Sequence, residues 1–373
     1  MLTNTAARLE GGSRPLQVRP APVTEAGPRQ LVVRSGAVAI NPVDWIVQTL
    51  GAVVYPWLDH PAVLGSDVAG EVVAIGEGVT RFRVGDRVVG LAIGTEKDRN
   101  RPAEGAFQSL VVLDENLAAP IPDILDDAHA AVLPLTLSTA ATGLFEQAHL
   151  GLALPGTAPG GEGRTVLVWG AGTAVGMQAV QLARAAGYEV VATASPATAD
   201  LVRSLGAAEV LDRRDPAVVD RLVAVLGSRE VAGALAVGAG SAAPCTEVIA
   251  RLDGATKHVA SASTALSLER VRPGRAVLLR ALPVMVPMGL AETRVRLRAR
   301  RLGVRLSTIW GSDLRRSAVG TAIWRDLLPG ALASGAIRAV PEPLVTGHGL
   351  AAVQEALEVQ RRGVAARKVV VTL

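Results

Sequence analysis

The chain has 373 residues, a mass of 38.4 kDa and a formal net charge of +4, with 49% apolar and 19% charged residues. That length exceeds what one hydrophobic core usually serves, and that composition excludes a disordered chain, so two folded domains are expected. A single cysteine, Cys245, excludes an intrachain disulfide and a thiolate-rich metal site, which suits a reducing compartment with the cytoplasm as the default location.

The opening MLTNTAARLEGGSRP carries early charge and no apolar run, so it does not read as a secretory signal. Residues 31–40, LVVRSGAVAI, read as a strand that Asn41-Pro42 stops. The following GSDVAGEVVAIGEGVTRFRVGDRVVGL alternates β-branched runs with glycine turns, the texture of a small curled β domain. Residues 123–148 turn alanine-rich and helical, and 151–165 form a Gly/Pro loop. Neither 128–145, interrupted by His129 and Pro134, nor 165–183, interrupted by three glycines, reads as a membrane span.

From 166 the pattern alternates. Strands are expected at 166–169, 188–194, 208–212, 233–238, 257–263 and 304–310, with helices at 175–186, 198–205, 217–227 and 244–251. Such alternation predicts an α/β fold with a doubly wound parallel sheet. Helices at 313–328 and 349–361 and a strand KVVVTL close the chain.

The stretch TVLVWG runs into Gly170-Ala171-Gly172-Thr173-Ala174-Val175-Gly176 and then a helix. Strand, glycine loop and helix in that order let a backbone approach a diphosphate at a helix N-terminus. The spacing G-x-G-x-x-x-G is one residue longer than the standard motif, and a tight turn holding no ligand is the alternative. NAD-type folds place an acid about 20 residues on, but the second strand here ends at Ser195. Ser195, Arg203 and Arg213 could instead meet a 2′-phosphate, so NADPH is expected over NADH; solvated surface arginines are the other reading.

AVAINPVDW, HPAVLGSDVAGEVVAIGEGVTRFRVGDRVVG, GAFQSLVV, LSTAATGL, the glycine loop, GYEVVATASPATADLVRSLGAAEVLD and KVVVTL together resemble the medium-chain dehydrogenase/reductase superfamily. Within it the chain is similar to the zinc-free quinone oxidoreductase and trans-acting enoyl reductase branch. The resemblance implies a GroES-like β-rich catalytic domain, residues 1–125 and 312–373, around a Rossmann cofactor-binding domain, 126–311. It also implies that Asn41 and Asp44 shape the active-site loop, that Thr139 lies near the nicotinamide, and that backbone around Val237, Gly238 and Ser261 lines the cofactor path. Each has a simpler reading: Asn41 before Pro42 is a turn former, and Thr139 satisfies its own helix. Tyr55 could donate a proton to an enolate or bond its oxygen, or with Pro56 and Trp57 form an aromatic lid.

No metal is expected. Gly65-Ser66-Asp67 stands where zinc-dependent relatives carry Gly-His-Glu, no cysteine precedes 245, and the histidines are scattered at 60, 129, 149, 258 and 348. The sequence also departs from the branch: Ile46 replaces a lysine, SPATAD lacks one, Arg213 replaces a tyrosine, and Ala236 an aspartate.

The basic residues are arginine except Lys97, Lys257 and Lys368, and without aromatic interleaving they predict no nucleic-acid partner. The run 291–306, with Arg294, Arg296, Arg298, Arg300, Arg301 and Arg305, is either a solvated face or a dock for an acyl carrier protein or synthase. The function expected is a zinc-free, NADPH-dependent reductase of activated C=C bonds in polyketide or related biosynthesis. Its substrate would be a small molecule or a carrier-bound unsaturated chain, and the protein a monomer or homodimer. The alternatives are a redox-inactive cyclase or isomerase and a non-catalytic accessory subunit.

Overall fold

The computed structural model describes residues 2–12, 14–158, 160–262 and 277–373. The chain opens with β1 (Asn4–Leu9), paired antiparallel to β2 (Gln17–Ala21), and continues into the long β3 (Gln30–Ala39). Helix α1 (Pro42–Val54) starts where Pro42 fixes a helical φ at the first position and Asp44 accepts the Asn41 amide at 2.7 Å. Then come β4 (Ala62–Val63), β5 (Asp67–Ile75), β6 (Arg87–Leu91), β7 (Leu110–Asp114) and β8 (Ala118–Pro120).

Helices α2 (Asp127–Ala130) and α3 (Pro134–Phe145) lead into the second half. Small side chains let α3 pack tightly, and nearly all of it is buried. The window Asp127–Phe145 is apolar enough to span a membrane by composition, yet it is 78% buried inside the protein, as a core helix is.

The alternating segment follows: β9 (Arg164–Trp169), α4 (Ala174–Ala185), β10 (Glu189–Ala194), α5 (Pro196–Ser204), β11 (Glu209–Asp212), α6 (Val218–Leu226), β12 (Glu230–Ala236), α7 (Ala242–Arg251) and β13 (His258–Ser261). The last residue of the strand expected at 257–263 lies outside the described residues. Helix α8 (Val277–Arg301) and β14 (Arg305–Thr308) complete it. All six strands are parallel in the order β11-β10-β9-β12-β13-β14. Numbered within this segment that is 3-2-1-4-5-6, the dinucleotide-binding order, with its switch point between β9 and β12.

The expected helix 313–328 is broken into a 3₁₀ turn (Asp313–Arg316), α9 (Ala318–Thr321) and a π turn (Ala322–Leu327), followed by α10 (Leu328–Ser334). The chain ends with β15 (Glu342–His348), α11 (Val353–Arg362) and β16 (Arg367–Thr372). Strand β16 pairs antiparallel with β3, so both chain ends build one seven-stranded sheet, β15-β16-β3-β5-β6-β8 with β7 also on β3.

One buried cluster runs from Ala37, Val89 and Leu91 of that sheet through Leu137 and Ala141 of α3 to Met177 and Val166 of the parallel sheet. The two sheets are thereby cemented through α3. A second cluster lies under α1 and α11, and a third between the far face of the parallel sheet and α6, α7 and α8.

Candidate active site

The glycine loop sits at the carboxyl end of β9, against the switch point. A Cβ at Gly170 would fall 2.2 Å from the Val237 carbonyl oxygen, and Gly170 has φ +78°, so only glycine fits. A Cβ at Gly176 would fall 2.3 Å from the Gly170 oxygen, and one at Gly172 2.4 Å from Thr198 Oγ1. Thr173 caps α4, its Oγ1 accepting the Gly176 amide at 3.1 Å. The amides of Ala174 and Val175, in the first turn, have no intrahelical acceptor and carry the positive end of the helix dipole. A cradle this close-packed, with donors at its rim, fits a diphosphate.

At the tip of β10, Ser195 precedes α5 and its Oγ lies 3.0 Å from Thr198 Oγ1. Arg213 stands just past β11 with its amide on the Ala194 carbonyl at 3.2 Å, and among the described residues its guanidinium has no ion pair. Ser195 and Arg213 therefore share the end of β10. Arg203 does not join them: it lies in the last turn of α5, paired to Asp200 at 2.7 Å on the solvent side. The i,i+3 geometry of the helix allows this exposed pair at the end of α5 away from Ser195.

The strand ends line up beyond the cradle. The Val237 amide donates to Trp169 O at 3.0 Å, Ala262 to Ala236 O at 2.9 Å, and Ile309 to Ser261 O at 2.8 Å. Val237 and Ser261 are buried along this edge, and Gly238 turns out of β12 with φ +100°. The next residues, Trp310 and Gly311, bring the edge against α3: a Cβ at Gly311 would fall 2.2 Å from Thr139 Oγ1. Thr139 donates to the Leu135 carbonyl at 2.6 Å, so its hydroxyl serves its own helix beside Gly311.

Tyr55, the residue after α1, packs on Trp57 with ring centroids 4.9 Å apart and on Trp310 at 5.6 Å. Each indole N–H is committed elsewhere, Trp57 to Thr95 O at 3.0 Å and Trp310 to both Glu96 carboxylate oxygens at 3.1 Å. The Tyr55 hydroxyl has no hydrogen-bond partner among the described residues, although the ring is buried. Burial, with Glu96 and then Asp44 adding negative charge, pushes its phenol above the ordinary range, so it remains an O–H donor.

Behind α1 lies a buried polar cluster that sequence reasoning found only in part. Asn41 Nδ2 donates to Asp67 Oδ2 at 2.8 Å, and the Leu135 amide to Asp67 Oδ1 at 2.7 Å. Lys368, at the head of β16, lies 3.0 Å from Asp67 Oδ2 and donates to Asn41 Oδ1. Asn41 thus ties α1, β5 and β16 together, and Asp67 ties them to the start of α3. The available signal was Lys368 itself, a lysine among arginines at the start of an apolar strand. Ile46 packs at the edge of the core under α1. Asp44 is buried, and desolvation raises its carboxyl to about 7 against the favourable Asn41 amide. Asp67 is held by three donors, and among the described residues no group of three His, Cys, Asp or Glu side chains could hold a metal.

Residues 27–123 match the alcohol dehydrogenase GroES-like domain. The chain is 43% identical to dehydrogenase pigH of Monascus ruber, over the whole of both chains. It belongs to the medium-chain dehydrogenase/reductase superfamily. It is also 36% identical to trans-enoyl reductase himH of Aspergillus japonicus, covering 100% of this chain and 98% of that one. Its fold matches an alcohol dehydrogenase superfamily protein from Novosphingobium aromaticivorans with a TM-score of 0.71 and 25% identity over all of both chains. The chain is accordingly an oxidoreductase built for a nicotinamide cofactor.

Proposed function

We propose that the protein is a zinc-free, NADPH-dependent reductase of C=C bonds conjugated to a thioester or ketone, acting within a biosynthetic assembly line. The observation that carries this reading is a dinucleotide cradle whose strand ends lead to the unpartnered hydroxyl of Tyr55. Residues 126–311 are read as the cofactor domain, and 1–125 with 312–373 as the catalytic one.

Gly170, Gly172 and Gly176 give the backbone the approach a diphosphate needs, with the Ala174 and Val175 amides and Thr173 around it. Ser195 and Arg213 would hold a 2′-phosphate at the tip of β10, and backbone at Val237, Gly238 and Ser261 would line the way of the nicotinamide toward Thr139. Bound NADPH supplies the hydride for the β-carbon of the acceptor. Tyr55 gives a hydrogen bond, then a proton, to the enolate that results, and its high pKa keeps that proton in place until needed. Asn41, Asp67 and Lys368 fix α1, and so the position of Tyr55, without touching substrate. The polarised alkene needs no Lewis acid, and the Lys368 ammonium beside Asp67 disfavours a cation there.

The test is to titrate the purified chain with NADPH and then follow its oxidation on adding a 2-enoyl thioester. Micromolar binding and stoichiometric oxidation support the reading. Absence of binding up to millimolar, or rearrangement of the thioester without oxidation, overturns it.

A further inference from the structure

Helix α8 packs on both halves of the protein. Its first part sets Ala281, Val284, Met285 and Met288 against the core under α1, and its last part sets Ala299 in the core beneath the parallel sheet. The opposite side carries the exposed Leu282, Val286, Leu290 and Leu297. At the turn of an α-helix these four fall within an arc of about 80° and form a ridge of about 22 Å.

Arginines border that ridge. By the same helical count Arg294 and Arg301 lie along one side, and Arg296 and Arg300 along the other. Arg298 pairs with Glu247 at 2.6 Å and Arg296 with Glu292 at 3.6 Å. Among the described residues Arg294, Arg300 and Arg301 have neither an ion pair nor a hydrogen bond. A cavity of about 420 Å³ between α8 and the edge strand β14, lined by Arg296, Arg300 and Arg305, continues the basic border.

A second copy of the chain would bring these arginines face to face, which like-charge repulsion opposes. A bilayer is a poor match, because the apolar arc is narrow and the rest of the helix is held in the two cores. An acidic protein satisfies both halves of the surface, apolar ridge and basic border. We infer that α8 docks the acidic carrier domain that presents the unsaturated chain to the cleft, an inference resting on the reductase reading above.

The test uses the full chain with NADPH and one acyl group on two carriers: a phosphopantetheinylated carrier domain from a polyketide synthase, and N-acetylcysteamine. The triple variant Arg294→Glu, Arg300→Glu, Arg301→Glu is expected to lower kcat/KM for the carrier-borne chain about tenfold or more, while the small thioester stays within about twofold. Equal turnover of the carrier-borne chain by both proteins overturns the inference. So does co-sedimentation of the wild type, but not the variant, with phosphatidylserine vesicles while carrier turnover is unchanged. If the triple reversal slows both substrates, the corresponding triple change to Gln decides: a loss confined to the carrier supports docking, and no such loss refutes it. A wild-type chain that reduces neither thioester fails the reductase reading, and direct binding of the carrier domain, weakened or not by the substitutions, then decides the docking face separately.

Discussion

Lys368→Met probes the buried cluster that positions α1. The ammonium lies 3.0 Å from Asp67 Oδ2, with side-chain exposures of 5% and 0%. After substitution Asp67 keeps the Leu135 amide and Asn41 Nδ2, but its charge has no counterpart, and Asn41 Oδ1 loses its donor. Breaking a buried ion pair from one side costs about 3–5 kcal/mol, which corresponds to a fall in Tm on the order of 10 °C. Adding Asp67→Asn removes the stranded charge, so the double variant should recover more than half of the loss. Urea unfolding followed by tryptophan fluorescence measures both. A Lys368→Met protein as stable as the wild type, or a double variant no better than the single, refutes the reasoning.

Tyr55→Phe should lower kcat by about 10²- to 10⁴-fold while NADPH affinity, read by fluorescence titration, is unchanged. Arg213→Ala should weaken NADPH binding by about ten- to a hundredfold and leave NADH binding unaltered, as loss of a charge-assisted phosphate contact requires. Gly176→Ala should weaken both nucleotides alike, because its methyl would meet backbone 2.3 Å away and displace the cradle, a shift visible in the same titrations. Asp44 has a folded pKa of about 7, above its ordinary 3.8, so the native state holds the proton more tightly and the stability this gives at low pH is lost as pH rises toward 7. Relative to Asp44→Asn, the wild type should therefore lose on the order of 4 kcal/mol between pH 4 and pH 8 in paired denaturation curves.

The parallel sheet was legible because its inner strands β9, β10, β12 and β13 are buried on both faces and read as nearly unbroken apolar runs between helices. Boundaries of α4, β10 and α7 fall within about two residues of expectation. Helix α8 was not legible: Pro283 and Pro287 read as breakers, yet contacts with two cores carry the helix past them. Strand β15 hides in EPLVTGH, whose proline and glycine are tolerated because only β16 pairs with it. The tight glycine loop could be read from Gly170, Gly172 and Gly176 because their role is local. The Lys368 contacts were not legible, because they bridge 301 and 327 positions of sequence to Asp67 and Asn41, a separation no local pattern encodes.

Reductive transfer from the cradle to an alkene beside Tyr55 leaves an atom that can be traced. Incubating the protein with C4-deuterated NADPH and a 2-enoyl thioester, then locating the label by NMR, tests it directly. Deuterium at the β-carbon of a saturated product, one per NADPH consumed, is the predicted result; an unlabelled cyclised or isomerised product with the nucleotide intact would contradict it.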